Sequence, residues 1–409
     1  MAKDHAVTSA PRALFFTSAA QRAALARQRY FEEGQLPSGF VSHAILDSWA
    51  RCLRLRYNPH DAVEFNLVSN SRAQLALQRN RPLVDAWKSE LSEIERTLAG
   101  TSCSAILTDA SGVVIATTGR GGTQAVLTPA AHRVGVNLSE ESVGTTAPGL
   151  VVKTGKPAAV LGGEHYFSGV MPMHCTAAPI HNAYGQLAGV LDISSEGIPF
   201  NFDVAGVVSL YATSIENRLL TAQSNEHLVL RLQVSPTLLE TPMVGLAGID
   251  GQGRLAWTNG VASSLFGTNV TGPREGHPSV EDLFGVSLTR LLDLPSESAT
   301  PVRLANGLSV WIRAALRAPD GVTGVTIRAS LHLESSASEA PPASTACTDV
   351  ADGGRSTKDA PPSLRDSDKD LILRTVRAFD GNISKTAKQL RVSRGLIYRR
   401  LREANGDSG

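Results

Sequence analysis

The sequence predicts a multidomain chain in which two α+β modules precede a short all-α unit. Three observations support this division of the 409 residues. The spacing of apolar residues is helical before about residue 100 and strand-like after it. Ser, Ala, Pro and Asp dominate residues 334–363, which cannot bury a core and predict a flexible linker. Beyond this linker, helical spacing returns together with a concentration of Lys and Arg.

Helices are expected at the start of the first module. Residues 1–41 form a weakly patterned N-terminal extension, in which an Ala-, Arg- and Gln-rich stretch at 19–30 favours a helix. Apolar residues recur every three or four positions over 42–52, 72–80 and 83–99. This spacing predicts three amphipathic helices.

The period then changes to that of β-strands. Two β-rich runs, 104–108 and 113–118, flank the turn sequence Asp109-Ala110-Ser111-Gly112 and predict a hairpin. Further strands are expected at 157–161, 175–180 and 187–193, and a helix is expected at 204–220. An antiparallel sheet with helices before and after it predicts an α+β domain over residues 42–222.

A second α+β module is expected over residues 236–333, after a connecting helix at 223–235. Residues 249–259 have the order strand, Gly-rich turn and strand, and a helix follows up to Gly267. The remaining strands are expected at 308–315 and 323–333. The linker then extends over residues 334–365.

The last part of the chain, residues 366–405, has the pattern of three short helices. Ile372 and Phe379 lie on one helical face, and Asp380-Gly381-Asn382 then ends that helix. A second helix follows, and Ser393 is placed to cap a third. Two short helices joined by a tight turn, the second rich in arginine, are typical of helix-turn-helix proteins.

Positive charge is concentrated in this last part. Residues 368–405 carry ten Lys and Arg side chains against four acids, a net charge of +6. The whole chain has 39 basic and 38 acidic side chains, so the rest has 29 against 34 and a net charge of −5. A basic helix-turn-helix predicts contact with the phosphates and bases of double-stranded DNA.

Residues 381–390 and 392–401 resemble the Fis-type helix-turn-helix. Two positions depart from the family pattern, because Arg391 stands where Gly is usual and Leu396 where Thr is common. These departures affect the expected site preference more than the fold. From the resemblance and the basic residues together, the expected DNA contacts are Lys385, Lys388, Ser393, Arg394, Leu396, Tyr398, Arg399 and Arg400.

A second resemblance covers residues 42–222. Residues 137–147, 163–166, 175–180 and 189–194, with the Ser48-Trp49-x-Arg51-Cys52 element, are similar to the sensory GAF domain of acetoin-catabolism-type regulators. The resemblance implies a pocket for a small organic effector, and an apolar or alcohol-like molecule is expected within residues 100–195. The candidate effector contacts are Thr145, His165, Tyr166, His174, Cys175 and Thr176.

The second module resembles the opening of a PAS domain through its strand, Gly-rich turn, strand and helix order. It carries no cofactor motif, and no cofactor is expected anywhere in the chain. His165, His174 and Cys175 have side chains that suit a metal ion, but packing or pocket lining is the favoured interpretation and no metal is expected.

Regulators with this sensory domain and a Fis-type tail usually carry an AAA+ ATPase of the sigma-54 type between them. The nearest phosphate-loop candidate, residues 149–157, has five residues between its glycines and ends in Pro157 where Ser or Thr would hold magnesium. The edge of a strand is expected there instead. The segment 235–333 is also too short for that ATPase, and no enzyme motif is found.

Cysteine usage and hydropathy indicate the compartment. Cys52, Cys103, Cys175 and Cys347 form no C-x-x-C pair, and reduced thiols are expected. The sequence has no run of about eighteen apolar residues and no secretion signal. We therefore expect a cytoplasmic bacterial protein without membrane contact that joins the nucleoid when bound to DNA.

Two functions of different class fit these features. The first is an effector-responsive, sequence-specific transcriptional regulator that acts without ATP hydrolysis. The second is a sensory or scaffold protein whose Fis-type tail serves dimerisation. The basic recognition helix favours the first. The expected partners are double-stranded DNA, a small organic effector and a second copy of the chain, with RNA polymerase as a further candidate.

Overall fold

The computed structural model describes residues 18–119, 125–224, 227–268, 276–295 and 298–316. All of them belong to the first of two compact units, Met1–Ser336, and the second unit is Ala337–Gly409. The expected linker and helix-turn-helix therefore lie outside the described residues. Within the described ranges, no helix is long and apolar enough to cross a membrane.

The N-terminal helices form as expected, and serines begin three of them. The helices are α1 (Ala19–Arg27), which continues as a π-helical turn (Gln28–Glu32), α2 (His43–Arg54), α3 (Asn70–Arg79) and α4 (Arg81–Leu98). Ser18, Ser42 and Ser69 accept a hydrogen bond from the backbone N–H three residues later. Each cap satisfies a donor that a helix N-terminus leaves unpaired.

The first module is built around one five-stranded antiparallel sheet. Its strands are β1 (Ser104–Asp109), β2 (Val114–Thr117), β3 (Ala158–Leu161), β4 (Met173–His181) and β5 (Leu187–Glu196), in the order β2-β1-β5-β4-β3. Three short helices, α5 (Leu127–Ala131), α6 (Glu140–Val143) and α7 (Ala147–Thr154), lie between β2 and β3, and α8 (Val204–Ala222) follows β5. The predicted strands and the helix after them are confirmed.

The two faces of this sheet are both covered. Leu191 and Ile193 of β5 pack with α4 and α8, and we call this side the helix face. Val190 packs in the cluster that contains Trp49 of α2 and Tyr166, and we call this opposite side the loop face. Because successive strand residues point to opposite faces, the even-numbered residues of β5 share the loop face.

Helix α7 corrects an expectation from the sequence. The edge of a strand was expected at 149–157, but residues up to Thr154 are helical. The Thr146 hydroxyl accepts a hydrogen bond from the Gly149 N–H at 3.1 Å, Pro148 lies in the first turn, and Gly155 ends the helix with φ of 66°. These are the standard start and stop signals of a helix. They outweigh the β-branched residues Val151 and Val152.

The second module contains another five-stranded antiparallel sheet. Its strands are β6 (Leu228–Gln233), β7 (Gly245–Ile249), β8 (Leu255–Thr258), β9 (Thr300–Arg303) and β10 (Ser309–Leu316), in the order β8-β7-β6-β10-β9. The helices α9 (Gly260–Phe266), α10 (Val280–Phe284) and α11 (Leu288–Leu292) lie between β8 and β9. The predicted strand, turn, strand and helix over 249–267 are confirmed, whereas the strand expected at 323–333 lies outside the described residues.

The connecting helix expected at 223–235 is wrong, because Leu228–Gln233 is the central strand of the second sheet. Leu228, Leu230 and Leu232 pack into the module core, while Val229 faces the opposite cluster with Trp257. This alternation has a period of two, which is that of a strand. The second sheet module therefore begins before residue 236.

A chain of buried amide hydrogen bonds joins the two sheet modules. The Asn217 side chain on α8 donates to the Pro242 carbonyl at 3.0 Å and accepts from the Asn259 amide at 2.7 Å. Asn259 also donates to the Val244 carbonyl, and its own oxygen accepts from the N–H groups of Leu246 and Ala262. Because every contact satisfies a buried polar atom, this junction fixes the end of α8 against the second sheet.

Close packing of β5 against β1 generates a first prediction. A Cβ atom at Gly189 would lie 2.4 Å from the Thr108 carbonyl oxygen and 2.7 Å from a Leu83 methyl. The Gly189→Ala variant should therefore lose about 1 to 3 kcal/mol of unfolding free energy, since the strand must shift to relieve the clash. The loss is measured by urea denaturation.

The matched control is Gly100→Ala, where an added Cβ meets no atom within 4 Å. It should leave the unfolding midpoint unchanged or raise it slightly, because alanine restricts the unfolded chain. Equal midpoints for Gly189→Ala and the wild type would contradict the described packing of β5 against β1.

Candidate functional site

A small cavity lies on the loop face of the first sheet. Its volume is about 30 Å³, which is room for one or two water molecules. Apolar side chains form most of the wall, among them Phe65, Ile106, Leu138, Val143, Val170 and Met173. The polar lining comes from His132, Thr146, His165, Cys175, Asp192 and Ser194.

Register across the sheet brings the strand residues of this site together. Asp192 of β5 is paired with Ile106 of β1, and Ser194 is paired with Cys175 of β4 and with Ser104 of β1. These side chains share the loop face because they occupy alternate positions along their strands. The sheet thus supplies a rigid floor for the cavity.

Asp192 is the charged group of this floor. Its carboxyl is 1% exposed, and its Oδ2 accepts a short hydrogen bond from the Ser194 hydroxyl. Its Oδ1 has no hydrogen-bond partner among the residues that the structure describes. Burial raises the pKa of Asp192 to about 7, because removing the carboxylate from water disfavours the ionised form.

Two neutral histidines face the same cavity. Burial lowers the pKa of His132 and of His165 to about 4, so both rings are uncharged at neutral pH. The His132 Nδ1 lies 2.9 Å from the Ser104 hydroxyl. The His165 Nδ1 lies 3.0 Å from the Gly162 carbonyl. Because a carbonyl only accepts, Nδ1 of His165 carries the proton and its Nε2 is left as an acceptor.

The neighbouring thiol is also uncharged. Cys175 Sγ lies 3.7 Å from His165 Nε2, and burial raises the pKa of this thiol well above its usual range. In the described ranges, no group of three or more His, Cys, Asp or Glu side chains has a geometry that could hold a metal ion.

The structure places the six residues that were expected to contact the effector in different parts of the first module. His165 and Cys175 line the cavity. His174 and Thr176 alternate with Cys175 along β4 and therefore lie on the helix face, where the His174 ring packs edge-on against Phe200. These two side chains do not reach the cavity.

Thr145 and Tyr166 are used in packing between the sheet and the N-terminal helices. The Thr145 hydroxyl lies 2.7 Å from that of Ser48 on α2. Tyr166 is fully buried, and its hydroxyl donates to the Tyr57 carbonyl at 2.6 Å. Neither residue lines the cavity, and the hydroxyl group of each has a hydrogen-bond partner in the core.

Sequence reasoning missed Asp192, Ser194 and His132. The available signal was Asp192 itself, since an acid within the otherwise apolar run Val190-Leu191-Asp192-Ile193 breaks the pattern of a strand buried on both faces. Such a residue is retained only where it has a partner or a function. His132 had no comparable signal, because its position depends on α5.

Hydrogen bonds to two carboxylates, Glu196 and Glu140, position the elements that form the walls of the cavity. The Glu196 carboxylate at the end of β5 accepts hydrogen bonds from the backbone N–H groups of Leu127 and Thr128, at the start of α5. This contact positions α5, which leads into His132. Arg51 of α2 makes a two-pronged ion pair at 2.6 and 2.7 Å with Glu140, the first residue of α6. Such paired bonds fix orientation as well as distance.

The DNA contacts expected from the sequence all lie outside the described residues. These are Lys385, Lys388, Ser393, Arg394, Leu396, Tyr398, Arg399 and Arg400. The interface for nucleic acid is therefore assigned through comparison with known proteins.

Residues 17–202 match the protein family described as MimR, N-terminal domain, and residues 363–403 match the family described as Bacterial regulatory protein, Fis family. The homologues of this chain are regulators of the acetoin-catabolism and MimR type. The chain thus combines a mixed α/β N-terminal region that matches the MimR N-terminal domain with a segment that matches the Fis-type helix-turn-helix. The resemblance to such regulators noted in the sequence is confirmed.

Two curated relatives show the extent of the similarity. The acetoin catabolism regulatory protein of Cupriavidus necator is 29% identical over 220 residues, which are 53% of this chain and 33% of that protein. The acetoin dehydrogenase operon transcriptional activator of Bacillus subtilis is 28% identical over 199 residues, which are 49% and 33% of the two chains. The aligned part of the chain therefore spans about a third of the length of these relatives.

Among solved structures, the E. coli DhaR(N)-DhaL complex aligns with 67% of this chain and 99% of that chain. The TM-score is 0.41 and the sequence identity is 15%.

The buried carboxyl generates a prediction on stability. The pKa of Asp192 is raised from 3.8 to about 7 in the folded chain, so the folded state binds more protons than the unfolded state between these pH values. The contribution of the Asp192 carboxyl to the free energy of unfolding therefore falls as pH rises from about 4 to about 7. The Asp192→Asn variant should be more stable than the wild type by roughly 2 to 4 kcal/mol at pH 8 and by much less at pH 5.

Denaturation midpoints of both chains across this pH range provide the measurement. Asp85→Asn on the exposed face of α4 is the control, and it should change stability by less than about 0.5 kcal/mol. A stability difference between Asp192→Asn and the wild type that does not vary with pH would show that Asp192 titrates normally.

Proposed function

We propose that the chain is an effector-responsive, sequence-specific DNA-binding regulator of transcription that acts without ATP hydrolysis. The observation that carries this proposal is the match of residues 363–403 to the Fis family of bacterial regulatory proteins. The relatives are named as regulators or activators of catabolic operons, which favours a regulatory tail over one that serves only dimerisation. An enzymatic function is not proposed.

The first sheet module is proposed to be a GAF-type sensor and the second a PAS-type module. The lining of the cavity on the loop face supports the sensor assignment, because apolar walls with a few converging polar groups are typical of ligand sites. A small organic effector is proposed to bind there. The bound effector would then control DNA binding by the helix-turn-helix, although the two sites are far apart in the sequence.

Action without ATP rests on the chemistry of the phosphate-loop candidate. Residues 149–154 are part of α7, and the lysine that follows Gly155 precedes Pro157 rather than the hydroxyl residue that would hold magnesium. Residues 228–316 are occupied largely by the second sheet module. Control of transcription is therefore proposed to act through operator occupancy or through contacts to RNA polymerase.

A homodimer is proposed as the DNA-binding species. A single three-helix unit of 366–405 offers few phosphate contacts, and two-fold proteins match two-fold operators. Each subunit brings ten basic side chains within residues 368–405. Counterion release then predicts that affinity falls steeply with salt concentration.

Arg394 provides the sharpest test of sequence-specific binding. It follows Ser393, the expected cap of the recognition helix, and side chains in that first turn reach base edges. An arginine there can bind guanine through two hydrogen bonds and discriminate by about 1 to 3 kcal/mol. Arg394→Ala should weaken binding to the selected operator roughly ten- to a hundredfold and relax preference at one base pair of each half-site.

Lys388→Ala is the control for this experiment. If Lys388 contacts only phosphate, its loss weakens binding to all sequences alike and lowers the salt slope by about one unit per contact. Both variants and the wild type are compared by binding-site selection and by affinity measurement. If Arg394→Ala selects the wild-type consensus at uniformly lower affinity, Arg394 touches only the DNA backbone.

A further inference from the structure

The cavity contains a buried hydrogen-bond acceptor that has no donor among the described residues. Asp192 Oδ1 is buried, lines the cavity and has no partner among the described residues, while Oδ2 of the same carboxyl is occupied by Ser194. A buried oxygen without a donor destabilises the fold. Asp192 is therefore suited to a ligand that supplies the missing donor.

The charges around the cavity restrict which ligand can enter. Among the residues that the structure describes, the lining contains no Lys or Arg. The titratable groups that face Asp192 from the neighbouring elements are His132 beyond α5, His165 and Cys175, and all of them are uncharged at neutral pH. An anionic effector would lose its hydration without gaining a cation, which is strongly unfavourable. The lining therefore selects against organic acids.

We propose that Asp192 is the recognition group for a small neutral effector, which it binds through a hydrogen bond from an effector hydroxyl to Oδ1. This proposal rests on the effector-sensing function proposed above and names the chemical class of the effector. Aliphatic carbons of the same molecule contact the apolar wall formed by Ile106, Val143 and Met173. The predicted ligand class is thus a short-chain alcohol or polyol.

The size of the cavity sets a further condition. A volume of about 30 Å³ accommodates only a few atoms. A larger effector must displace side chains of the wall, and Met173 and Phe65 are the suitable ones, because methionine adapts its shape readily and Phe65 is only partly buried. Binding therefore changes the packing on the loop face, where α2 also lies.

The test compares three probes of nearly equal size that differ in hydrogen bonding and charge. Butan-2-ol can donate a hydrogen bond, butanone can only accept one, and propanoate is an anion. Binding to the full chain is measured at pH 8 by ligand-observed NMR titration, because Asp192 is then largely ionised and needs a donor. Butan-2-ol should bind about ten- to a hundredfold more tightly than butanone, because only the alcohol can donate a hydrogen bond to the ionised carboxylate of Asp192. Propanoate should not bind.

Two variants assign the preference to Asp192. Asp192→Leu has a similar shape but no polar atom, so the affinities for butan-2-ol and butanone should become equal within about twofold. Ser195→Ala is the control, because Ser195 alternates with Ser194 and its hydroxyl donates to the Ile198 carbonyl instead. It should retain the alcohol preference. Thermal denaturation of both variants verifies that they remain folded.

The possible failures are distinguishable. Equal alcohol and ketone affinities in the wild type, tight propanoate binding, or an alcohol preference that survives Asp192→Leu would each overturn the role of Asp192 while leaving an effector-responsive regulator possible. If a broad panel of small metabolites neither binds the chain nor changes its operator affinity, the effector-sensing function fails and this proposal fails with it.

Discussion

The position of β5 in the first sheet is the constraint on which the rest of the molecule depends. The strand pairs with β1 on one side and β4 on the other, so its backbone polar groups are satisfied and both of its faces are covered. Leu191 and Ile193 contribute to the core beneath α4 and α8. Asp192 and Ser194 must therefore point to the loop face, where they line the small cavity.

The helix face of the same sheet leads to the second module. At the end of β4, the His181 N–H and ring lie against the Glu216 carboxylate of α8, at 2.7 and 3.1 Å. The next residue on α8, Asn217, makes the amide contacts to Pro242 and Asn259 of the second module. Packed and hydrogen-bonded elements thus connect β5 with the second sheet without interruption.

Much of the fold could be predicted from the sequence because its elements carry local signals. Periods of three to four residues defined α2 and α4 correctly, and the Asp109–Gly112 turn defined the first hairpin. The strand β6 was missed although Leu228, Leu230 and Leu232 alternate with the period of two that is typical of a strand. Its pairing with β7 and β10 shows the assignment. Helix α7 was missed because valines suggested a strand where Thr146 and Pro148 begin a helix.

The site was harder to predict than the fold. His165 and Cys175 line the cavity, whereas His174 and Thr176, which were expected in the same site, alternate with Cys175 along one strand and lie on the other face. The direction of each side chain follows from strand register, which a single sequence does not specify. The importance of Asp192 depends on residues from β4, α5 and the loop between β3 and β4, so it emerges only when these elements are assembled.

The central claim is that occupation of this cavity controls DNA binding, and linkage tests it most directly. The operator affinity of the full chain is measured with and without saturating butan-2-ol, and butan-2-ol affinity is measured with and without operator DNA. In the wild type the operator affinity and the butan-2-ol affinity should change by the same factor, and Asp192→Leu should remove the effect of butan-2-ol on operator affinity. An operator affinity that is the same with and without bound alcohol would contradict it.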